Sequence, residues 1–223
     1  IGGVAMDLPN DWRGLLNEFL KGFEGRLKEY EDLLIGNPIF RARTRGVGAI
    51  SLDEAIDWGV TGPNLRACGF EWDFRKKRPY SDYDQFDFEI PTADGGDCFA
   101  RAAVRFEEIR QSLRIIRQAA ENMPAGNYIA DDHMSMPPSR DETMVNIETL
   151  IHHFVGVSWG FTIPAGEAHA GIEAPKGNNG YYIVADGGTS PYRLRIRTPS
   201  FAHMQILPQL SRGSLIADLI TIL

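Results

Sequence analysis

Between Asp97 and Asn122 apolar residues recur at three- and four-residue spacing, and this run limits the folds open to the chain more than any other feature. Phe99, Val104, Phe106, Ile109, Leu113 and Ile116 fall along one side of a helix of 3.6 residues per turn. Asp97 or a neighbour starts it, and Pro124 and Gly126 stop it. A helix with such a stripe must bury it against another element. The chain offers one early: Asn10 can cap a helix running to about Gly36, with Leu15, Leu16, Phe19, Phe23, Leu27, Tyr30 and Leu34 on its inner side. Lys21, Glu24, Arg26, Lys28 and Glu31 occupy the other side.

The segments between and after these helices follow from their punctuation. Ser51 and Glu54 form a capping-box pattern opening a short helix that ends at Gly59. Residues 61–96 are rich in Gly, Pro and aromatics and read as an extended excursion with short strands, such as residues 86–90. A Pro-rich linker, residues 134–139, leads to a helix from about Arg140 to Trp159, with Met144, Ile147, Leu150, Ile151 and Phe154 facing inward. Over residues 167–198 the period changes. Residues 181–185 and 192–197 read as strands joined by the turn residues 186–190, a hairpin pattern. After Pro199 come a short helix and a final one. The expected class is therefore α+β, a helical bundle with a small antiparallel sheet near the C-terminus. Its expected parts are residues 1–60, 61–96, 97–160 and 161–223. The opening Ile1-Gly2-Gly3-Val4 and the closing apolar Ile220-Thr221-Ile222-Leu223 lead us to expect a piece of a larger subunit.

A formal net charge of −7 argues against nucleic acid as a partner, because phosphate binding needs a basic face. No apolar stretch approaches the roughly 20 residues that a membrane-spanning helix needs. Cys68 and Cys98 stand 30 positions apart, which fits neither a metal knuckle nor a redox pair, so free thiols in a reducing compartment are expected.

The residues that could carry chemistry form few patterns. Arg45-Gly46-Val47-Gly48 lacks the frame of a phosphate-cradling loop, so close backbone packing is the expected use of its glycines. His152 and His153 are adjacent in a predicted helix and point about 100° apart, which prevents a shared metal face. His133, His169 and His203 stand alone. The acidic pairs fall at helix ends or on solvated faces, where the helix dipole accounts for Asp141 and Glu142. Arg193, Arg195 and Arg197 alternate along a predicted strand and so share one face. Three cations there call for anions, which makes the face a docking or ion-pairing surface. No self-contained catalytic or metal-binding set is legible.

Several runs nevertheless occur together in a familiar order. They include Ile1-Gly-Gly-Val4, Arg45-Gly-Val-Gly48, Ala55-Ile-Asp-Trp-Gly-Val-Thr-Gly62, Leu65-Arg66, Arg75-Lys76, Pro79-Tyr80 with Tyr83, and Gly96-Asp97-Cys98. Arg110-Gln-Ser-Leu-Arg-Ile-Ile116, Ile151-His-His-Phe154, Glu173-Ala-Pro-Lys-Gly177, Pro191-Tyr-Arg193 and Pro199-Ser-Phe-Ala202 follow. In this order they closely resemble the D subunit of proton-pumping NADH:quinone oxidoreductase, respiratory complex I, in bacterial forms that include C/D fusions. The resemblance implies a relative of the nickel–iron hydrogenase large subunit, lying peripherally on the cytoplasmic side of the bacterial inner membrane. It implies as partners the C subunit and the subunit that carries the terminal iron–sulfur cluster, and quinone as the electron acceptor. The family's quinone Tyr and His and the His near the cluster would precede Ile1, so this stretch is expected to bind no cofactor of its own. Arg45 and His153 are expected behind the quinone cavity, and Arg193, Arg195 and Arg197 at interfaces or in ion pairs. The rival readings are a membrane-bound hydrogenase-type subunit and a non-catalytic interaction module.

Overall fold

In a computed structural model, which describes residues 2–132 and 136–222, the expected long helices form and the segments between them depart from expectation in instructive ways. The elements are α1 (Trp12–Leu34), α2 (Pro38–Thr44), α3 (Leu52–Asp57), α4 (Pro63–Arg66), α5 (Phe74–Lys77), α6 (Cys98–Asn122), α7 (Arg140–Val145), α8 (Ile147–Ser158), β1 (Gly166–Ala174), β2 (Gly177–Ala185), β3 (Arg193–Arg197), α9 (Pro199–Gln205), α10 (Leu207–Ser211) and α11 (Ile216–Ile222). The class is α+β, with one three-stranded antiparallel sheet in the order β1-β2-β3. The residues divide into two compact units, and the division passes through all three strands.

The larger unit holds Arg13–Met123, Ala170–Gly180 and Ile196–Leu223. Its core has three patches. Leu20 and Leu27 of α1 meet Leu113 of α6, flanked by Leu16, Phe23, Phe106 and Ile109. Leu20 replaces Leu15 and Phe19 on the buried side, and those two are exposed. Ala67, Ala100 and Val104 form a second patch of small side chains that lets α4 lie close on α6. Ile50, Ala55, Val60, Leu65 and Ile206 form the third. The caps are as read: Ser51 and Glu54 close a reciprocal capping box, and Asp97 accepts from the Ala100 amide at 2.8 Å. The first helix starts at Trp12, two residues after Asn10.

The expected strand at residues 86–90 is absent, and the reason is visible in its hydrogen bonds. The Asp87 amide donates to Gln118 Oε1 (2.8 Å) and the Glu89 amide to Gln111 Oε1 (3.0 Å). Two α6 glutamines thus satisfy alternate amides that a strand neighbour would otherwise take. Phe88, between them, is buried, and Arg75 and Lys76 lie over its ring. The rest of the excursion is α4, α5 and a 3₁₀ turn at Tyr83–Gln85 rather than strands.

The turn from β1 to β2 sits against the start of α4. A Cβ on Gly177 would lie 2.5 Å from Thr61 Oγ1, and one on Gly62 would lie 2.4 Å from the Gly177 Cα. Both glycines also have positive φ, so backbone conformation and close approach coincide there.

The smaller unit holds Ile1–Trp12, Pro124–His169 and Tyr181–Arg195. The single helix expected over 140–159 is two helices. Asn146 leaves helical geometry, and its side chain accepts from the Glu148 and Thr149 amides, so it caps α8. Every residue of α8 falls short of burial, and its apolar side chains, from Ile147 to Phe154, are exposed rather than inward. β1 is a strand that the period change alone did not delimit. His133 lies outside the described residues.

Candidate functional site

The most heavily charged buried feature of the larger unit centres on Arg66, the last residue of α4, which Pro63 starts after the turn at Gly62. Its side chain is 3% exposed. Nε donates to Glu108 Oε1 of α6 (2.8 Å), while Nη1 donates to Glu173 Oε1 of β1 (2.8 Å) and to the Trp72 carbonyl (2.9 Å). Asp73, 1% exposed, lies 3.8 Å from the same guanidinium and is held by Arg75 at 2.7 Å. Asp73 also caps α5. The Phe74 amide donates to Glu173 Oε2, and Tyr80 Oη brackets the Glu173 backbone, accepting from its amide (3.0 Å) and donating to its carbonyl. Tyr80 thus completes hydrogen bonds that a neighbouring strand would supply.

Two guanidiniums here face three carboxylates. Burial pulls the Arg66 pKa down, but Glu108, Glu173 and Asp73 more than offset it, so the guanidinium is held more firmly charged. Burial pushes the Glu173 carboxyl above its ordinary range, against the pull of Arg66. The arrangement joins α4, the α5 region, α6 and β1 through one side chain. It is a lock between these elements.

A second feature of the same unit is a half-open cavity of about 570 Å³. Arg43, Arg101, Arg105, Lys176 and His203 line its polar part together with Thr44, Asn64, Ser200 and Thr221, and among the described residues no aspartate or glutamate does. Ile50, Val60, Ile206, Leu210 and Ile222 form its apolar part. Arg43 is paired with Asp218 of α11 at 2.7 Å. Arg101 donates to the Gly96 and Gly48 carbonyls, both at 2.8 Å. His203 Nε2 lies 3.2 Å from the Thr61 carbonyl. Burial lowers the His203 pKa, and Arg105, Arg197 and Arg101 lower it further.

The residues singled out from the sequence are placed as follows. The Arg45 guanidinium stacks over the Phe99 ring at 4.7 Å. His153, in the smaller unit, has a buried Nδ1 without a hydrogen-bond partner among the described residues. Arg193 and Arg195 are exposed in the smaller unit. Arg197, in the larger unit, donates to the carbonyls of Asn178 (2.7 Å) and Gly59 (3.2 Å). Among the described residues none of these three arginines makes a salt bridge. No hydrogen bond or ion pair among the described residues joins the singled-out residues to one another. The Arg66 lock escaped sequence reading because Arg66 and Glu173 are 107 positions apart; an arginine flanked by Leu65 and Ala67 was the one local sign.

Both thiols are free. Cys68 Sγ donates to the Asn64 carbonyl (3.4 Å) and Cys98 Sγ to the Thr221 carbonyl (3.5 Å). No group of three or more His, Cys, Asp or Glu among the described residues could hold a metal ion. Among those residues, too, no helix is long and apolar enough to cross a membrane. Fold and site together define a class: an α+β scaffold in which buried charged groups tie elements together.

The chain belongs to the family of the respiratory-chain NADH dehydrogenase 49 kDa subunit, whose model matches residues 1–223. It is 63% identical over 223 residues to the C/D subunit of the NADH-quinone oxidoreductase of Nitrosospira multiformis. The corresponding figures are 61% for the C/D subunit of Gluconacetobacter diazotrophicus and 57% for that of Acidiphilium cryptum. Each match covers 100% of this chain but only 37–38% of the relative, so the chain spans under two-fifths of the length of these relatives.

Proposed function

We propose that this chain forms part of the quinone-reducing module of a proton-pumping NADH:quinone oxidoreductase, where it helps to shape the quinone cavity and to hold adjoining subunits. The observation that carries the reading is the unbroken match of residues 1–223 to the 49 kDa subunit family, with 63% identity to a relative named for that activity. The residues present do not suit an iron–sulfur cluster, because the cysteines are only two and each is turned to a backbone carbonyl. In this reading the cluster belongs to a neighbouring subunit, and this stretch holds walls of the cavity in place. A hydrogenase-type ancestry and a position on the cytoplasmic face of the inner membrane belong to the same reading.

Within it, Arg193 and Arg195 present exposed cations to an adjoining subunit. Arg45, fixed by Phe99, and His153, with its unpartnered ring nitrogen, stand behind the quinone cavity. The decisive experiment deletes the coding region for residues 1–223 and assays membranes. NADH:quinone reductase activity should disappear and return with the intact gene; membranes that keep full activity would overturn the reading. Arg193→Ala tests the interface more locally. If assembly and quinone reduction both stay normal, Arg193 has no part in holding a neighbour.

A further inference from the structure

We propose that His203 is a proton-operated latch: protonation swings its ring off Thr61 into the neighbouring cavity and frees the turn that leads into α4. The latch is built from residues of the larger unit alone and draws nothing from the proposed function.

Thr61 is buried but lies outside every helix and strand, so no ladder takes up its amide or its carbonyl. Among the described residues both face one atom, His203 Nε2, which lies 3.5 Å from the Thr61 nitrogen and 3.2 Å from its carbonyl oxygen. The shorter distance suits an Nε2–H that donates to the carbonyl. The longer one suits the other tautomer, in which the bare nitrogen accepts from the amide. A neutral ring can therefore serve either group. A ring that leaves strands both, and a buried peptide group without a partner is costly. The turn must then open to water, so departure of the ring and loosening of Thr61 are one event.

The surroundings decide when the ring leaves. Arg101 and Arg105 of α6 and Arg197 of β3 act on it, and Arg43 of α2 and Lys176 of the β1–β2 turn line the same cavity. Asp218 of α11 is taken by Arg43. Asp53, Glu54 and Asp57 of α3 are exposed and line no part of the cavity. A protonated imidazole thus adds a cation to a wall of cations, with no carboxylate there to meet it. Burial and the three arginines lower its pKa below the ordinary 6.5. The seated ring is neutral above pH 6.5, and its hold on Thr61 is lost as pH falls through the lower value.

The ring has room to move while α9 stays in place. The half-open cavity that His203 lines measures about 570 Å³, and Pro199 and Ile206 at the two ends of α9 are buried. Release is felt beyond Thr61. Its Oγ1 accepts from the Asn178 amide (3.1 Å), and Gly62 and Gly177 are in close approach, so a shift of Thr61 disturbs the β1–β2 turn. Arg197 still holds the Gly59 and Asn178 carbonyls, so the two turns loosen without separating.

Hydrogen exchange on the full-length protein in its native assembly, read by mass spectrometry and corrected for the intrinsic effect of pH, tests the latch. Between about pH 7.5 and about pH 5.5 the protection of peptides covering Thr61 and Asn178 should fall roughly tenfold, while that of residues 100–104 in α6 stays level. His203→Gln, which can donate to the Thr61 carbonyl but does not titrate, should keep its protection at both pH values. His203→Lys, a permanent cation, should lose it at both. Level protection in the unaltered protein would overturn the proposal. So would an equal fall in His203→Gln, or protection retained by His203→Lys. If a variant does not assemble, the unaltered protein decides alone, because its Thr61 and Asn178 peptides are read against α6 in the same sample.

Discussion

At the scale of single residues, Arg66 sets the strongest expectation. Its guanidinium is almost wholly out of water and bonds to Glu108, Glu173 and the Trp72 carbonyl. Arg66→Met keeps the bulk but leaves Glu173 and Asp73 buried with one cation fewer, which costs about 3–5 kcal/mol. Denaturant unfolding should show that loss, and a change below about 1 kcal/mol would mean that solvent reaches the carboxylates. Arg66→Lys should recover only part of it, because an ammonium cannot span two carboxylates as a planar fork does. His203 makes a separate prediction from its depressed pKa. Its neutral form is favoured in the fold, so its contribution is present above the ordinary histidine value of 6.5 and is lost as pH falls through the lower folded value. Stability should therefore drop on acidification below about pH 6.5, and His203→Gln should flatten that acid limb. An acid limb that is unchanged in the variant would assign the drop to other groups.

At the scale of elements, the β1–β2 turn is the least forgiving point. Gly177→Ala places a methyl 2.5 Å from Thr61 Oγ1 and 2.9 Å from the Thr61 carbonyl carbon, at a φ of +135° that disfavours any side chain. Strain and clash together should cost about 2 kcal/mol or more and raise amide exchange through the turn. The outermost glycine of the neighbouring hairpin, Gly187, has open space, so Gly187→Ala should cost less despite its positive φ. The elements that could be read from the sequence were those whose determinants are local. Ser51, Glu54 and Asp97 cap helices through neighbours three residues away, and the α6 stripe repeats within itself. Residues 86–90 alternate like a strand, but Gln111 and Gln118, more than twenty positions on, take their amides. Asn146 carried the cue for the break between α7 and α8, masked by apolar residues that continue in helical register on both sides. The Arg66 lock and the cationic cavity were illegible for a related reason. Their members are scattered from α2 to α11, and only the fold brings them within bonding distance. The ordered runs of sequence carried the family where the spacing of chemical groups carried no site.

At the scale of the whole molecule, the unsettled quantity is apolar surface. The α8 helix buries none of its residues, and Ile147, Phe154, Val157 and Trp159 are between 63% and 73% exposed. Met144 and Val145 of α7 and Ile216 and Ile220 of α11 are more exposed still. Monomeric soluble proteins rarely leave contiguous apolar patches beyond a few hundred Å² uncovered. These helices also have no excess of charge to keep them apart, since α8 carries only Glu148 besides its two histidines. Residues 1–223 expressed alone should therefore self-associate at micromolar concentration, with sedimentation velocity showing a distribution that shifts with loading. Ile151→Gln/Phe154→Glu on α8 should move that distribution toward the monomer without altering the α1–α6 core, whose buried Leu20, Leu27 and Leu113 it does not touch. If the chain sits in the proposed module, the same substitutions should act the other way there and weaken attachment, because a face that is a liability in isolation is a contact when covered. A compact, concentration-independent monomer from the unaltered chain would show that α7, α8 and α11 need no cover, and would remove the apolar half of the case for a scaffold held between partners.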